Sequence, residues 1–220
     1  QAKDYFLLIG PPGTGKTSVA LKSMVEEFYS DAATNILLLA YTNRAVDEMC
    51  DALENAEGHP RNRAVDEICD ALEKADGQQR NRAEDEMCDA LEKAEWHPPY
   101  IRIGSEFSCE MRFRNRLLEK VIAGCVSREE VTRKIQQHRI FVGTVASLTG
   151  KTELFKLKHF EVAIIDEASQ ILEPALLGIL SAKSAGGSNA IGKFILIGDH
   201  KQLPAIVLQD EKESATDSEM

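Results

Sequence analysis

The residues of this chain most able to do chemistry lie in GPPGTGKT, Gly10 to Thr17, a run that fits the G-x-x-x-x-G-K-[ST] phosphate loop. Gly13 and Gly15 let the backbone curl so that successive N–H groups point inward at a phosphate, with Gly10, Pro12, Thr14 and Ser18 in the same cradle. The start of the helix that follows adds its partial positive charge. Lys16 supplies a mobile point charge for the β- and γ-phosphates of a nucleoside triphosphate, and the Thr17 hydroxyl is placed to ligate Mg²⁺. A second group, Asp166 and Glu167, ends the apolar run FEVAII. Beside a phosphate loop, the first carboxylate holds Mg²⁺ through water and the second polarises an attacking water.

Such groups need elements that hold them still. Tyr5 to Ile9 reads as a buried strand leading into the loop, and Ser18 to Phe28 as the helix leading out. Asn35 to Tyr41 (NILLLAY) is apolar almost throughout, as a central parallel strand covered on both faces must be, and it ends in Thr42 and Asn43. Tyr100 to Gly104, Arg139 to Val145, Phe160 to Ile165 and Lys193 to Ile197 read as further strands. Helices are expected over Cys109 to Ala123, Arg128 to His138 and Gln170 to Ala182, with Pro174 tolerable only in a first turn. Alternating strands and helices give an α/β sheet with helices on both faces, and ligands of such sheets sit at the C-terminal strand edge. Each loop singled out above follows a strand, so all of them fall on that edge.

Residues 43–99 interrupt this alternation with three copies of a 19-residue unit: NRAVDEMCDALENAEGHPR, NRAVDEICDALEKADGQQR and NRAEDEMCDALEKAEWHPP. Apolar residues recur at helical spacing in each, with Asn43 as a cap for the first. One continuous helix is excluded, because 19 residues overshoot five turns by roughly 100° and Gly58, Pro60 and Gly77 break the run. Three short helices follow. Glu84 stands in the third copy where Val46 and Val65 stand in the others, so that unit packs most loosely.

The 220 residues suffice for a full core, and no apolar stretch approaches the roughly 20 residues of a membrane helix. A cytoplasmic setting is expected, with no membrane partner. Cysteines 50, 69, 88, 109 and 125 form no C-x-x-C pair, which argues for buried small apolar residues over a zinc site or disulfide framework. The formal charge of −10 argues against a nucleic-acid partner until its distribution is considered. Residues 43–99 hold 7 Lys/Arg against 16 Asp/Glu, or −9, which leaves −1 for the rest. Met111 to Arg139 has 8 basic against 3 acidic side chains, so a local basic face is an option.

With IIDEASQ (164–170) and LIGDHKQLP (196–204) added to GPPGTGKT, YTNRAVD (41–47) and GTVASL (143–148), the chain resembles the first motor domain of superfamily 1 helicases. The likeness is to the 5′-to-3′ group that includes the nonsense-mediated-decay RNA helicase and its DNA relatives. The resemblance implies a RecA-like three-layer αβα P-loop NTPase domain over 1–42 and 100–208, a helical insertion over 43–99 and a frayed tail over 209–220. It implies ATP and Mg²⁺ as cofactors, with Lys16, Glu167 and Gln202 catalytic and Thr17 and Asp166 at the metal. Asp199 joins Gln202 in sensing the γ-phosphate, and Gln170 couples the site to movement. Thr42, Asn43, Thr144 and Ser147 are the expected contacts to the backbone of single-stranded DNA or RNA. The family's second RecA-like domain, which carries arginine fingers, has no counterpart among these residues, so weak turnover is expected of the chain alone. The rival reading is a nucleotide-switched scaffold that recruits a protein through the acidic repeats.

Overall fold

Six strands pair in parallel in the computed structural model, which describes residues 4–10, 19–54, 98–199 and 201. They are β1 (Tyr5–Ile9), β2 (Ile36–Ala40), β3 (Tyr100–Ile103), β4 (Ile140–Thr144), β5 (Phe160–Ile165) and β6 (Ile191–Gly198). Their order across the sheet is β1-β6-β5-β2-β4-β3. The helices between them are α1 (Leu21–Ser30), α2 (Asn43–Glu54), α3 (Leu118–Ile122), α4 (Arg128–Gln137), α5 (Val145–Thr149), α6 (Leu154–Leu157) and α7 (Glu173–Leu180).

Because successive side chains of a strand point to opposite faces, the apolar run of β2 feeds two cores at once. Ile36, Leu38 and Ala40 join one layer with Leu21 and Val25 of α1 and Val46, Met49 and Leu53 of α2. Leu37 and Leu39 join the other with Ile135 of α4, Val145 of α5, Phe155 of α6 and Ile179 of α7. The result is the expected α/β sandwich of three layers around a parallel sheet. Phe160 sits edge-on to both Phe141 and Phe155, with ring centroids 5.4 and 6.2 Å apart, which closes the second layer beneath β4 and β5.

Several expectations change in detail. β1 is not buried: it is the sheet's edge strand, and Tyr5, Phe6, Leu7 and Ile9 are all about half exposed or more. An apolar run alone does not distinguish an edge from a centre. The helix expected over Cys109 to Ala123 breaks into short 3-10 turns at Glu106–Ser108 and Met111–Arg116 followed by α3, because Leu117 takes extended backbone and bridges to Arg102 of β3. Gln170 to Ala182 likewise splits, a 3-10 turn at Ala168–Gln170 preceding α7, whose first turn holds Pro174.

The boundary drawn at residue 43 moves as well. The first repeat copy forms α2, with Ala45, Val46, Met49, Cys50 and Leu53 at most 5% exposed in the main core, so 43–54 belongs to the sandwich and not to an insertion. Copies two and three, apart from Pro98 and Pro99, lie outside the described residues, as do the frayed tail and the looseness expected of the third copy.

Candidate functional site

Parallel pairing brings the C-terminal ends of all six strands to one edge. Register fixes the neighbours there: Ile9 pairs with Gly198, Leu196 with Ile165, Ile165 with Leu39, and Ala40 with Thr144. Along that edge stand Gly10 after β1, Asp199 after β6, Asp166 and Glu167 after β5, Thr42 after β2 and Thr144 at the end of β4. The N–H of Gly10 donates to the carbonyl of Gly198 at 3.3 Å, tying the residue after β1 to the end of β6.

The acidic pair is held by its own backbone. Asp166 is 3% exposed; its N–H donates to Leu39 O and its carboxylate accepts the Glu167 N–H, both at 2.8 Å. Glu167 takes a left-handed conformation (φ 52, ψ 31), alone among the described non-glycine residues. Such a backbone costs on the order of 1–3 kcal/mol and is kept only where its surroundings enforce it. Here the enforcing contacts are the Asp166 carboxylate on one side and, on the other, Gln170 N–H donating to Glu167 O at 2.9 Å. Burial raises the Glu167 carboxyl above the ordinary glutamate range, the Thr42 hydroxyl opposes this, and the charges of Asp166 and Glu48 add to the rise. A carboxylate so perturbed is suited to take a proton from water.

Gly198 is required where it stands. A Cβ there would lie 3.2 Å from Ser169 N and 3.3 Å from Ser169 Oγ, so glycine lets the Ala168–Gln170 turn pack on β6. That packing brings Ser169 Oγ to within 3.4 Å of the Asp199 N–H and sets half-buried Gln170 beside Glu167. Asp199 is itself buried and accepts the Lys201 N–H at 2.9 Å.

The four residues expected to meet a nucleic-acid backbone divide into two pairs. Thr42, not Asn43, caps α2: its hydroxyl accepts the Ala45 N–H at 3.1 Å, its carbonyl accepts the Val46 N–H, and exposed Asn43 is the first residue of the helix. The Thr42 hydroxyl also donates to Glu167 Oε2 at 3.3 Å. Thr144 and Ser147 are engaged inside the fold. They form a reciprocal capping box at α5, Thr144 is buried, and Ser147 Oγ further donates to Ile103 O at 3.2 Å. Gly143 permits this, since a Cβ there would meet Ile103 at 3.0 Å and Ser147 Oγ at 3.2 Å.

Residue patterns did not reveal what the basic stretch does. Asp47, Asp51 and Glu54 form a stripe along α2, and each faces an arginine. Buried Arg102 pairs with Asp47 and donates to Ser108 O at 3.1 Å; Arg112 donates to Asp51 Oδ2 at 2.7 Å; Arg116 lies 3.5 Å from Glu54 and over the Tyr100 ring. Arg139 donates to the carbonyls of Thr34 and Tyr29 and stacks on Tyr29. Much of the expected basic face is therefore structural, and the first copy's acids turn to the protein's own arginines. The spacing i, i+4, i+7 of those acids beside an apolar stripe was the available signal.

Pro12, Gly13, Thr14, Gly15, Lys16, Thr17, Ser18 and Gln202 lie outside the described residues. Among the described residues no group of three or more His, Cys, Asp or Glu gathers as a metal cage, and no helix is long and apolar enough to cross a membrane. Mg²⁺ bound with a nucleotide takes one or two carboxylates together with phosphates and water, a donor set that a single buried Asp166 at the strand edge fits.

Residues 1–63 and 106–210 match a family profile described as an AAA domain, so the match ends just past the first repeat copy and resumes beyond the third. The chain is 29% identical over 213 residues to the DNA replication ATP-dependent helicase/nuclease JHS1 of Arabidopsis thaliana, covering 96% of this chain and 12% of that protein. It is 28% identical over 211 residues to the DNA replication ATP-dependent helicase/nuclease DNA2 of Mus musculus, covering 96% and 15%. The chain thus spans well under a fifth of these curated relatives. Among solved structures, the UvsW helicase of bacteriophage T4 is similar with a TM-score of 0.45 at 15% identity, over 89% of this chain and 47% of that one.

Proposed function

Because the chain belongs to the AAA domain family, we propose that it is the ATP-binding and ATP-hydrolysing first motor domain of a superfamily 1 helicase. It acts on single-stranded nucleic acid together with a second RecA-like domain. The names of its relatives, DNA replication helicase/nucleases, favour DNA over RNA. What carries the reading is the order along the sheet edge: Gly10, Asp199, Asp166 with Glu167, and Thr42 follow four neighbouring strands.

In this reading Lys16 and the loop amides bind the phosphates, and Thr17 and Asp166 hold Mg²⁺. The metal, when bound, neutralises charge on the β- and γ-phosphates. Glu167 accepts a proton from the attacking water. Asp199 and Gln202 report the γ-phosphate, and Gln170, in the turn that follows Glu167, passes its loss to the strand-binding edge. Arg102, Arg112 and Arg139 are each engaged within the fold, so positive charge opposite the departing phosphoryl falls to the second domain. An arginine supplied there is worth roughly 10³ to 10⁵ in turnover.

The test is ATP titration and phosphate release with and without oligo-dT or oligo-rU. Lys16→Ala should weaken ATP binding without lowering the melting temperature, and Glu167→Gln should bind ATP yet lose strand-stimulated release. Addition of a second motor domain should raise turnover by orders of magnitude. Equal ATP affinity in wild type and Lys16→Ala, or phosphate release indifferent to both oligonucleotides, would refute the assignment.

A further inference from the structure

Cover on one face of the sheet stops before the sheet does. On the face that carries α1 and α2, Ile195 and Ile197 of β6 are buried in the core, and Leu8 of β1 packs against it. On the opposite face Ala163 and Ile165 of β5 are fully buried, yet Phe194 and Leu196 of the next strand, β6, are only half-buried. In β1, one strand further out, Tyr5 pairs with Phe194 and Leu7 with Leu196, so Tyr5, Leu7 and Ile9 share that face, and they are 66%, 52% and 61% exposed. The far edge of the sheet is closed by contrast: Leu117 bridges to Arg102, and every residue of β3 is buried.

We infer that residues 203–208, LPAIVL, are the cover of this face: after β6 the chain turns back and lays that run across Tyr5, Leu7 and Ile9 of β1 and Phe194 and Leu196 of β6. Topology selects this segment. From β3 through β4 and β5 to β6 the chain moves in one direction across the sheet, and right-handed crossovers put α4, α5, α6 and α7 on the open face. That progression reaches β6 with the face over β6 and β1 still uncovered, and the chain leaves β6 at that place, Gly198 pairing with Ile9 and Lys201 being the last described residue. Residues 202–220 open with the apolar run and turn polar and acidic from Gln209. The family profile continues through the run to residue 210. Pro204 biases Leu203 toward extended backbone, and Ile206 and Val207 are β-branched, which suits a segment laid along a strand. Six extended residues reach roughly 20 Å, enough to follow the five residues of β1 from end to end. Apolar surface on both sides then leaves water, and Gln202 is held between two fixed points, buried Asp199 and the docked run. This cover is independent of what the chain binds.

The test places p-benzoylphenylalanine at position 5 of the whole chain, where exposed Tyr5 can be replaced without disturbing the core. After irradiation the joined peptide is mapped by mass spectrometry. The cross-link should fall within 203–208 and form inside one molecule at every protein concentration. In parallel, amide exchange across Tyr5–Ile9 and binding of an apolar dye are compared between wild type and the double variant Ile206→Asp/Val207→Asp, which puts a charge on either side of an extended run. The variant should exchange about tenfold faster across β1 and bind more dye, as expected when apolar cover is lost from a strand, and Ile206→Leu should behave as wild type. A cross-link that maps outside 203–208, that joins two copies and grows with concentration, or that does not form overturns the cover. Exchange and dye binding left unchanged by the double aspartate variant overturn it as well.

Discussion

Arg102→Met removes a cation that is 1% exposed and leaves the Asp47 carboxylate, 8% exposed, without its partner. Burial already lifts the Asp47 carboxyl above the ordinary aspartate range, and the Arg102 charge is the largest influence holding it down. Breaking a buried pair from one side costs about 3–5 kcal/mol, because the remaining charge keeps its desolvation penalty. With urea m-values of about 1–3 kcal/mol/M, that corresponds to a midpoint shift of roughly 1–5 M. The loss should also depend on pH. A carboxyl raised in the fold contributes stability that is present below its unfolded value and is lost as pH rises through its folded value. Without Arg102 the folded value climbs further, so the variant should regain stability relative to wild type as pH falls through the carboxylate range. Urea unfolding of Arg102→Met, Asp47→Leu and the double variant completes the cycle. The double variant should recover most of the loss, since two apolar residues satisfy this site better than one unpaired charge. A coupling below about 1 kcal/mol at neutral pH, or one that does not change with pH, would refute the claim that this pair fastens α2 and its Thr42 cap to β3.

Deletion of residues 62–99 should leave a cooperative transition near the original temperature and shift net charge by +6, as 5 Lys/Arg and 11 Asp/Glu are removed. Deletion of 43–61 should instead abolish soluble folded protein, because α2 supplies Val46, Met49 and Leu53 to the main core; survival of that variant would mean a later copy replaces the first. Lys158, 4% exposed and donating to Gln136 O at 3.3 Å, has its ammonium pulled down to about 8 by burial. Between that value and the ordinary lysine value the unfolded chain binds more protons, so wild-type stability should rise with pH across that window. Lys158→Met should flatten the rise and gain on the order of 1 kcal/mol at neutral pH; a stability curve parallel to wild type would exclude the cause.

The strands and the acidic pair were legible in residue order because their signals are local. NILLLAY can be satisfied only by cover on both faces, and β2 is indeed central with every residue buried. FEVAII delivers Asp166 and Glu167 at a strand end whatever lies beside it, and parallel pairing then brings every such end to one edge. Tyr5 to Ile9 shows where this stops. The same apolarity that marks β2 marks β1, yet one is central and the other an edge, because position in a sheet depends on which strands pair and not on hydropathy.

What each polar group does was decided by packing. Asn43 has the residue type of a cap, but Thr42 caps α2, since the helix begins one residue earlier than side-chain preference suggests. The family resemblance implies Thr144 and Ser147 as strand contacts, and in the fold their hydroxyls also close the turn that starts α5. Arg112 and Arg116 read as part of a basic stretch along the chain, and together with Arg102 of β3 they become the partners of Asp51, Glu54 and Asp47 only once β3 is laid beside β4 and α2 is packed over it. The Thr42–Glu167 bond spans 125 positions of sequence. Hydrophobic periodicity is a property of neighbours along the chain, whereas a hydrogen bond or ion pair depends on distances of a few ångströms between groups that only the completed sheet brings together.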